Sequence, residues 1–66
     1  MRIYVNGEER SALQHTTVEE LLTSLGLAQR PCAVEVNRTL VPRREHARWR
    51  LEQDDRVEIV ELVGGG

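Results

Sequence analysis

Few residues of this chain are of types that do chemistry, and most are wrongly spaced for it. Cys32, His15 and His46 are its only thiol and imidazoles. No motif spacing brings them together, and a structural zinc wants four ligands. Cys32 invites a reading as a persulfide carrier. It falls, however, on the inward phase of the alternating stretch "CAVEVN" and reads as a small buried hydrophobe. Asp54-Asp55 offers two carboxylates, but two aspartates ahead of a strand are ordinary turn chemistry. No nucleophile–base pair and no phosphate loop is present. Lysine is absent, so all nine cationic side chains are arginines, and no Schiff base can form here.

What remains is the end, "VEIVELVGGG". Glycine makes up about 7% of average composition, so three in a row at a given place is expected in only three or four chains per ten thousand. Glycine also loses the most backbone entropy on ordering, so Gly64, Gly65 and Gly66 add nothing to a core. Either they are the remnant of an expression scar or they are the working part.

The rest of the chain has to position that end. Sixty-six residues make one domain, which at this size buries only about 60% of its unfolded surface and leaves little room for a deep catalytic cleft. One cysteine excludes an intrachain disulfide. No charged leader, no apolar leader segment and no bilayer-length run is visible, and the chain reads as a small cytoplasmic protein. The net charge of −2 argues against a general nucleic-acid binder. The charges are uneven. Arg38, Arg43, Arg44, Arg48 and Arg50 lie close together, while acids gather at Glu8–Glu9, Glu19–Glu20 and Glu52–Glu61. A basic stretch in an acidic protein reads either as a docking surface or as a solvated loop.

Met1, Ile3 and Val5 alternate with Arg2, Tyr4 and Asn6, the period of a half-buried strand. Asn6-Gly7 then signals a hairpin, because both turn positions need positive φ, and a weaker strand over about Glu9 to Leu13 returns. In "TTVEELLTSLGL", Val18, Leu21, Leu22 and Leu25 share one helical face. Thr17 and Glu20 form a capping box, and Gly26 is the stop. Cys32, Val34 and Val36 face inward on the next strand. "TLV" makes a short strand closed by Pro42, which cannot donate to a ladder. "RREHARW" makes about one helical turn with Trp49 as an anchor. In "RVEIVEL", Val57 and Ile59 take one face and Glu58, Val60 and Leu62 the other. Apart from the tail there is no repeat, linker or low-complexity segment.

One helix cannot cover both faces of a sheet, so the class is α+β. The element order is that of the β-grasp (ubiquitin-like) fold, a mixed sheet of four to five strands packed on one main helix. Its domain spans residues 1–63, with 64–66 as a flexible C-terminal glycine arm. The first and last strands then lie parallel at the sheet centre, and Tyr4, Val60 and Leu62 point together from the uncovered face, an apolar cluster suited to a partner.

"VNGE", "VEVNRTLVPRREHARW" and "RVEIVELVGGG" resemble the ThiS family, the sulfur carriers of thiamin-thiazole biosynthesis, over essentially the whole chain. The most specific parts are "VPR", the tryptophan after it and the terminal Gly65-Gly66. One departure is Asp54-Asp55, where the family usually has Gly-Asp. If that turn needs positive φ, aspartate tolerates it better than most residues.

The resemblance implies a function. An E1-like adenylyltransferase (ThiF type) uses Mg-ATP to convert the Gly66 carboxylate into an acyl-adenylate. Sulfur mobilised by a cysteine desulfurase displaces AMP and leaves a thiocarboxylate. Thiazole synthase (ThiG type) then draws sulfur from it. Gly64 and Gly65 would be the arm, with Tyr4, Val60, Leu62 and Arg43 in the docking set. The chain would bind no cofactor or metal and hold no catalytic residue. Rival readings are a sibling carrier (for molybdopterin, tRNA thiolation or a specialised metabolite), a ubiquitin-like modifier of other proteins, and a small RNA-binding module. The last lacks an aromatic stacking surface.

Overall fold

The computed structural model describes residues 1–62. The first hairpin forms where Asn6 and Gly7 take φ of 50° and 84°, the left-handed pair of a type I′ turn. It joins β1 (Arg2–Val5) to β2 (Glu8–Ser11). Strand β2 is shorter than the expected Glu9–Leu13. Ala12 N–H still bonds Met1 C=O at 2.8 Å, but Leu13 then swings out to 83% exposure, since its carbonyl is taken by the Thr16 N–H and hydroxyl.

Helix α1 (Val18–Ser24) has seven residues, too few to persist in water by propensity alone. Its ends and its buried face hold it. Glu20 N–H bonds the Thr17 hydroxyl at 3.1 Å while Thr17 N–H bonds the Glu20 carboxylate at 2.9 Å, the reciprocal capping box. At the other end Gly26 adopts φ 75°. There Leu27 N–H reaches Leu22 C=O and Gly26 N–H reaches Thr23 C=O, a Schellman stop. Val18, Leu21 and Leu22 are buried.

After Pro31 come β3 (Cys32–Val36), β4 (Thr39–Val41), a 3₁₀ turn at Arg43–Glu45 and β5 (Arg56–Glu61). The sheet order is β2-β1-β5-β3-β4. β1 and β5 run parallel at its centre, and the other pairs are antiparallel. This is the expected β-grasp arrangement, five strands with one helix on one face. The core beneath α1 is built from the inward phase of the strands, including Ile3, Val5, Val34, Val36, Val57 and Ile59. Each such side chain contributes roughly 1.5–3 kcal/mol by burial.

Two expectations are modified. Cys32 is half-buried rather than enclosed, although it packs on the core. It sits at the sheet end opposite Glu61, and α1 stops at Ser24, so the covering layer thins there. Trp49 is likewise half-buried, and its carbonyl accepts Val18 N–H at 2.9 Å, tying the loop to the start of α1. Among the described residues no helix is long and apolar enough to cross a membrane.

Candidate functional site

The candidate site is the end of β5, because the glycines follow from it. β5 is held from both sides by side chains that the sequence presented only as turn formers. Asn6 donates its backbone N–H to Val57 C=O at 2.8 Å. Its side chain then bonds Ile59 twice, Oδ1 accepting from N–H at 2.8 Å and Nδ2 donating to C=O at 3.2 Å. Asn37 does the same at the other end of the strand. Its N–H reaches Arg56 C=O, its Oδ1 accepts Arg56 N–H at 2.9 Å, and its Nδ2 reaches buried Asp55 at 2.9 Å. Both asparagines have positive φ, 50° and 51°, so the geometry that makes each turn also aims its amide at β5. Past the strand, Leu62 N–H bonds Pro31 C=O at 2.8 Å, and Arg30 pairs with Glu61 at 2.8 Å.

The start of β5 has its own brace. Asp54 takes φ 67°, so the turn in which this chain departs from Gly-Asp does need the left-handed region. Arg2 Nε donates to Asp54 Oδ1 at 2.7 Å. This hydrogen bond, with the arginine's charge, holds the Asp54 carboxyl below the usual carboxylate range and pushes Arg2 up. A carboxyl with a depressed folded-state pKa stabilises above its ordinary value, and that contribution is lost as pH falls through the folded value. Both partners are exposed, so the effect is small. An Asp54→Asn variant is expected to show a slightly lower urea midpoint than the parent at pH 7. The two should converge on acidification below the carboxylate range, and a gap independent of pH would remove this assignment.

The predicted docking residues do not all meet. Val60 and Leu62 are 59% and 53% exposed on the face away from α1. Tyr4 shares that face but pairs in register with Arg56, four residues before Val60 and so about 13 Å away along the strand at ~3.3 Å per residue. It is half-buried between two guanidinium groups, Arg56 at 4.7 Å and Arg2 at 6.0 Å from its ring centroid, a cation–π arrangement. Arg43 lies on the other side of the sheet, lining a groove with Cys32, Arg30, His46 and α1. Sequence reasoning missed Leu40, which is 61% exposed. The inward burial of its neighbour Val41 puts it on the face of Val60. Val63 and the expected arm, Gly64, Gly65 and Gly66, lie outside the described residues.

Within the described residues no group of three or more histidines, cysteines or carboxylates could hold a metal. His46 is buried, with Nε2 3.1 Å from Val41 C=O, a structural placement.

The sequence profile of the ThiS family matches residues 3–66. The chain belongs to the ThiS family. Thiazole synthases of Magnetococcus marinus and Paramagnetospirillum magneticum are each 42% identical over all 66 residues. The ThiS-family chain spans only 20% of the length of these two relatives. The sulfur carrier protein ThiS of Escherichia coli K12 is 29% identical over the whole of both chains. The crystal structure of the thiamine biosynthesis protein ThiS from Geobacter metallireducens superposes with a TM-score of 0.84 at 30% identity, covering both chains completely. The ThiS fold is therefore common to this chain and a solved relative, at full coverage.

Proposed function

We propose that this ThiS-family chain is a sulfur carrier for thiazole formation in thiamin biosynthesis, with Gly66 as the residue that carries sulfur. The observation that supports it best is the family match running through Gly66, onto a tail that follows directly from the clamped central strand.

A carboxylate is a poor acyl donor, since its charge repels nucleophiles and oxide is a bad leaving group. An E1-like enzyme of the ThiF type supplies the leaving group. The Gly66 carboxylate attacks the α-phosphorus of Mg-ATP, pyrophosphate departs, and an acyl-adenylate forms. The terminal sulfur of a persulfide, charged by a cysteine desulfurase, attacks the acyl carbon and AMP leaves. A thiol then cleaves the sulfur–sulfur bond, leaving a thiocarboxylate on Gly66 and a disulfide on the donor side. A ThiG-type thiazole synthase takes the sulfur. The adenylate survives only where water is excluded, so the tail enters the partner's site rather than the reverse. Gly64 and Gly65 form the arm, about 10 Å of extended chain with Gly66, and without Cβ atoms they admit close approach. The chain works as a co-substrate in the cytoplasm, its partners supply the catalytic residues, and it binds no cofactor of its own.

Intact mass tests this. The full-length chain, incubated with the same organism's E1-like enzyme, Mg-ATP and a cysteine-fed desulfurase, is expected to gain the mass of one sulfur replacing one oxygen. A chain lacking Gly66 is expected to gain nothing. An unshifted full-length chain, with an enzyme active on another carrier, would sink the proposal.

A further inference from the structure

The proposed arm starts from Glu61 and Leu62, and few bonds hold these two residues. From Arg56 onward, even-numbered residues bond toward β3: Arg56 C=O accepts Asn37 N–H, and Leu62 N–H donates to Pro31 C=O. Odd-numbered ones bond toward β1, as Asn6 does with Val57 and Ile59. Glu61 N–H and C=O therefore face the β1 side. Among the described residues β1 registers with β5 only at Arg56 and Val57, and Asn6 extends that ladder no further than Ile59. On the β3 side proline has no N–H to return, so Leu62 and Pro31 share one bond instead of two.

Glu61 is held through its side chain. It continues the inward phase of Val57 and Ile59, but α1 ends at Ser24. Its carboxylate is left 46% exposed and takes the Arg30 guanidinium at 2.8 Å. Arg30 is itself fixed. Its N–H bonds Leu27 C=O at 3.0 Å, and Leu27 N–H bonds Leu22 C=O at 2.8 Å in the stop of α1. Pro31 follows and restricts φ. The loop over 27–31 thus ties the end of the helix to the end of the strand.

We infer that Arg30 is a positioning residue for the carrier reaction, because its grip on Glu61 fixes where the arm leaves the sheet. This rests on the carrier reading above and adds the residue that sets the arm's length. Gly66 lies four residues past Leu62, a reach of about 13–14 Å. Without the pair, the strand frays back to Val60, whose ladder partner is Ala33. Six residues then span about 20–22 Å. The effective concentration of a tethered group falls roughly as the −3/2 power of tether length, so presentation of Gly66 to an adenylating site drops about twofold. Binding weakens while the chemical step is untouched.

The test is a charge-inversion cycle on the full-length chain, using Arg30→Glu, Glu61→Arg and the double exchange, each checked for an unchanged urea midpoint. Amide hydrogen exchange at Leu62, read by NMR, follows the strand end itself. Steady-state ATP–pyrophosphate exchange by the same organism's E1-like enzyme follows the terminus. Each single variant sets like charges together, and Leu62 is expected to exchange roughly threefold faster or more. The KM for the carrier is expected to rise about twofold with kcat unchanged, a loss of binding alone. The double variant is expected to restore both values. Leu62 exchange unmoved by the single variants overturns the grip, and a KM unmoved or lowered overturns the positioning role. A raised KM that the double variant fails to restore means direct contact with the enzyme, which also overturns it. A parent left unactivated by an enzyme active on another carrier refutes the carrier reading and, with it, the role of Arg30. Leu62 exchange tells that failure from a broken grip.

Discussion

A Gly65→Ala chain is expected to load sulfur on the order of a hundredfold more slowly than the parent, while unfolding at the same urea concentration. The rate effect follows from where the reacting carboxylate must go. In the proposed adenylation a carboxylate oxygen has to sit in line with the α-phosphorus of ATP, opposite the departing pyrophosphate, inside a site closed to water, and misplacement by about 1 Å in such a geometry can lower a rate by roughly 10²-fold. A methyl group one residue from the reacting carbon both restricts φ and widens the segment that threads the partner. The unchanged stability follows from the packing. The core ends with Ile59 on β5, and Leu62 N–H is bonded to Pro31 C=O, so position 65 comes after the elements that hold the fold. Single-turnover loading followed by mass, with the urea midpoint by circular dichroism, reads both. Loading within threefold of the parent would remove the steric argument for glycine.

The second large effect is on folding. Ile3→Ala is expected to leave half or less of the chain folded at 25 °C. Ile3 has no exposed surface and sits on β1, between β2 and β5. Deleting its side chain beyond Cβ costs about 2–5 kcal/mol through lost transfer energy and the cavity left behind. A single core in a chain below about 70 residues rarely supplies more than 3–5 kcal/mol in total. There is little margin, and within the described sheet no disulfide or metal adds to it. A cooperative urea transition within about 1 kcal/mol of the parent would show either a larger margin or a site that collapses well.

Much of this architecture was legible because short-range chemistry marked it. Asn6-Gly7, the Thr17–Glu20 box and Gly26 each encode a local conformation, and each adopts it. The alternation in β1, β3 and β5 gave the core-facing residues correctly. The hairpin at Asn37-Arg38 was less visible, because Arg38 at φ 69° is a residue that pays roughly 1–2 kcal/mol to stand there, and propensity does not advertise such a turn. Nor could periodicity reveal that Asn6 and Asn37 would turn their amides onto β5, since that depends on which strand arrives beside the turn. The candidate site was legible in part. Alternation put Val60 and Leu62 on the open face, but parallel register, which sequence pattern leaves free, set Tyr4 against Arg56. Leu40 was overlooked because a three-residue strand is too short to show a period.

The placement of β5 has a consequence for how the molecule comes into being. Its partners in the sheet centre are supplied from the opposite end of the chain, with Asn6 and Ile59 separated by 53 residues. Pairings that distant close the largest loops and form late. On a ribosome, the N-terminal hairpin and helix emerge without the strand that completes their core, and a chain cut short before Arg56 has nothing to pair between β1 and β3. The nascent protein is thus expected to gain its structure only when synthesis has reached β5, the segment next to the proposed sulfur-carrying end. Incomplete chains lack the strand that closes the core and are expected to stay unfolded.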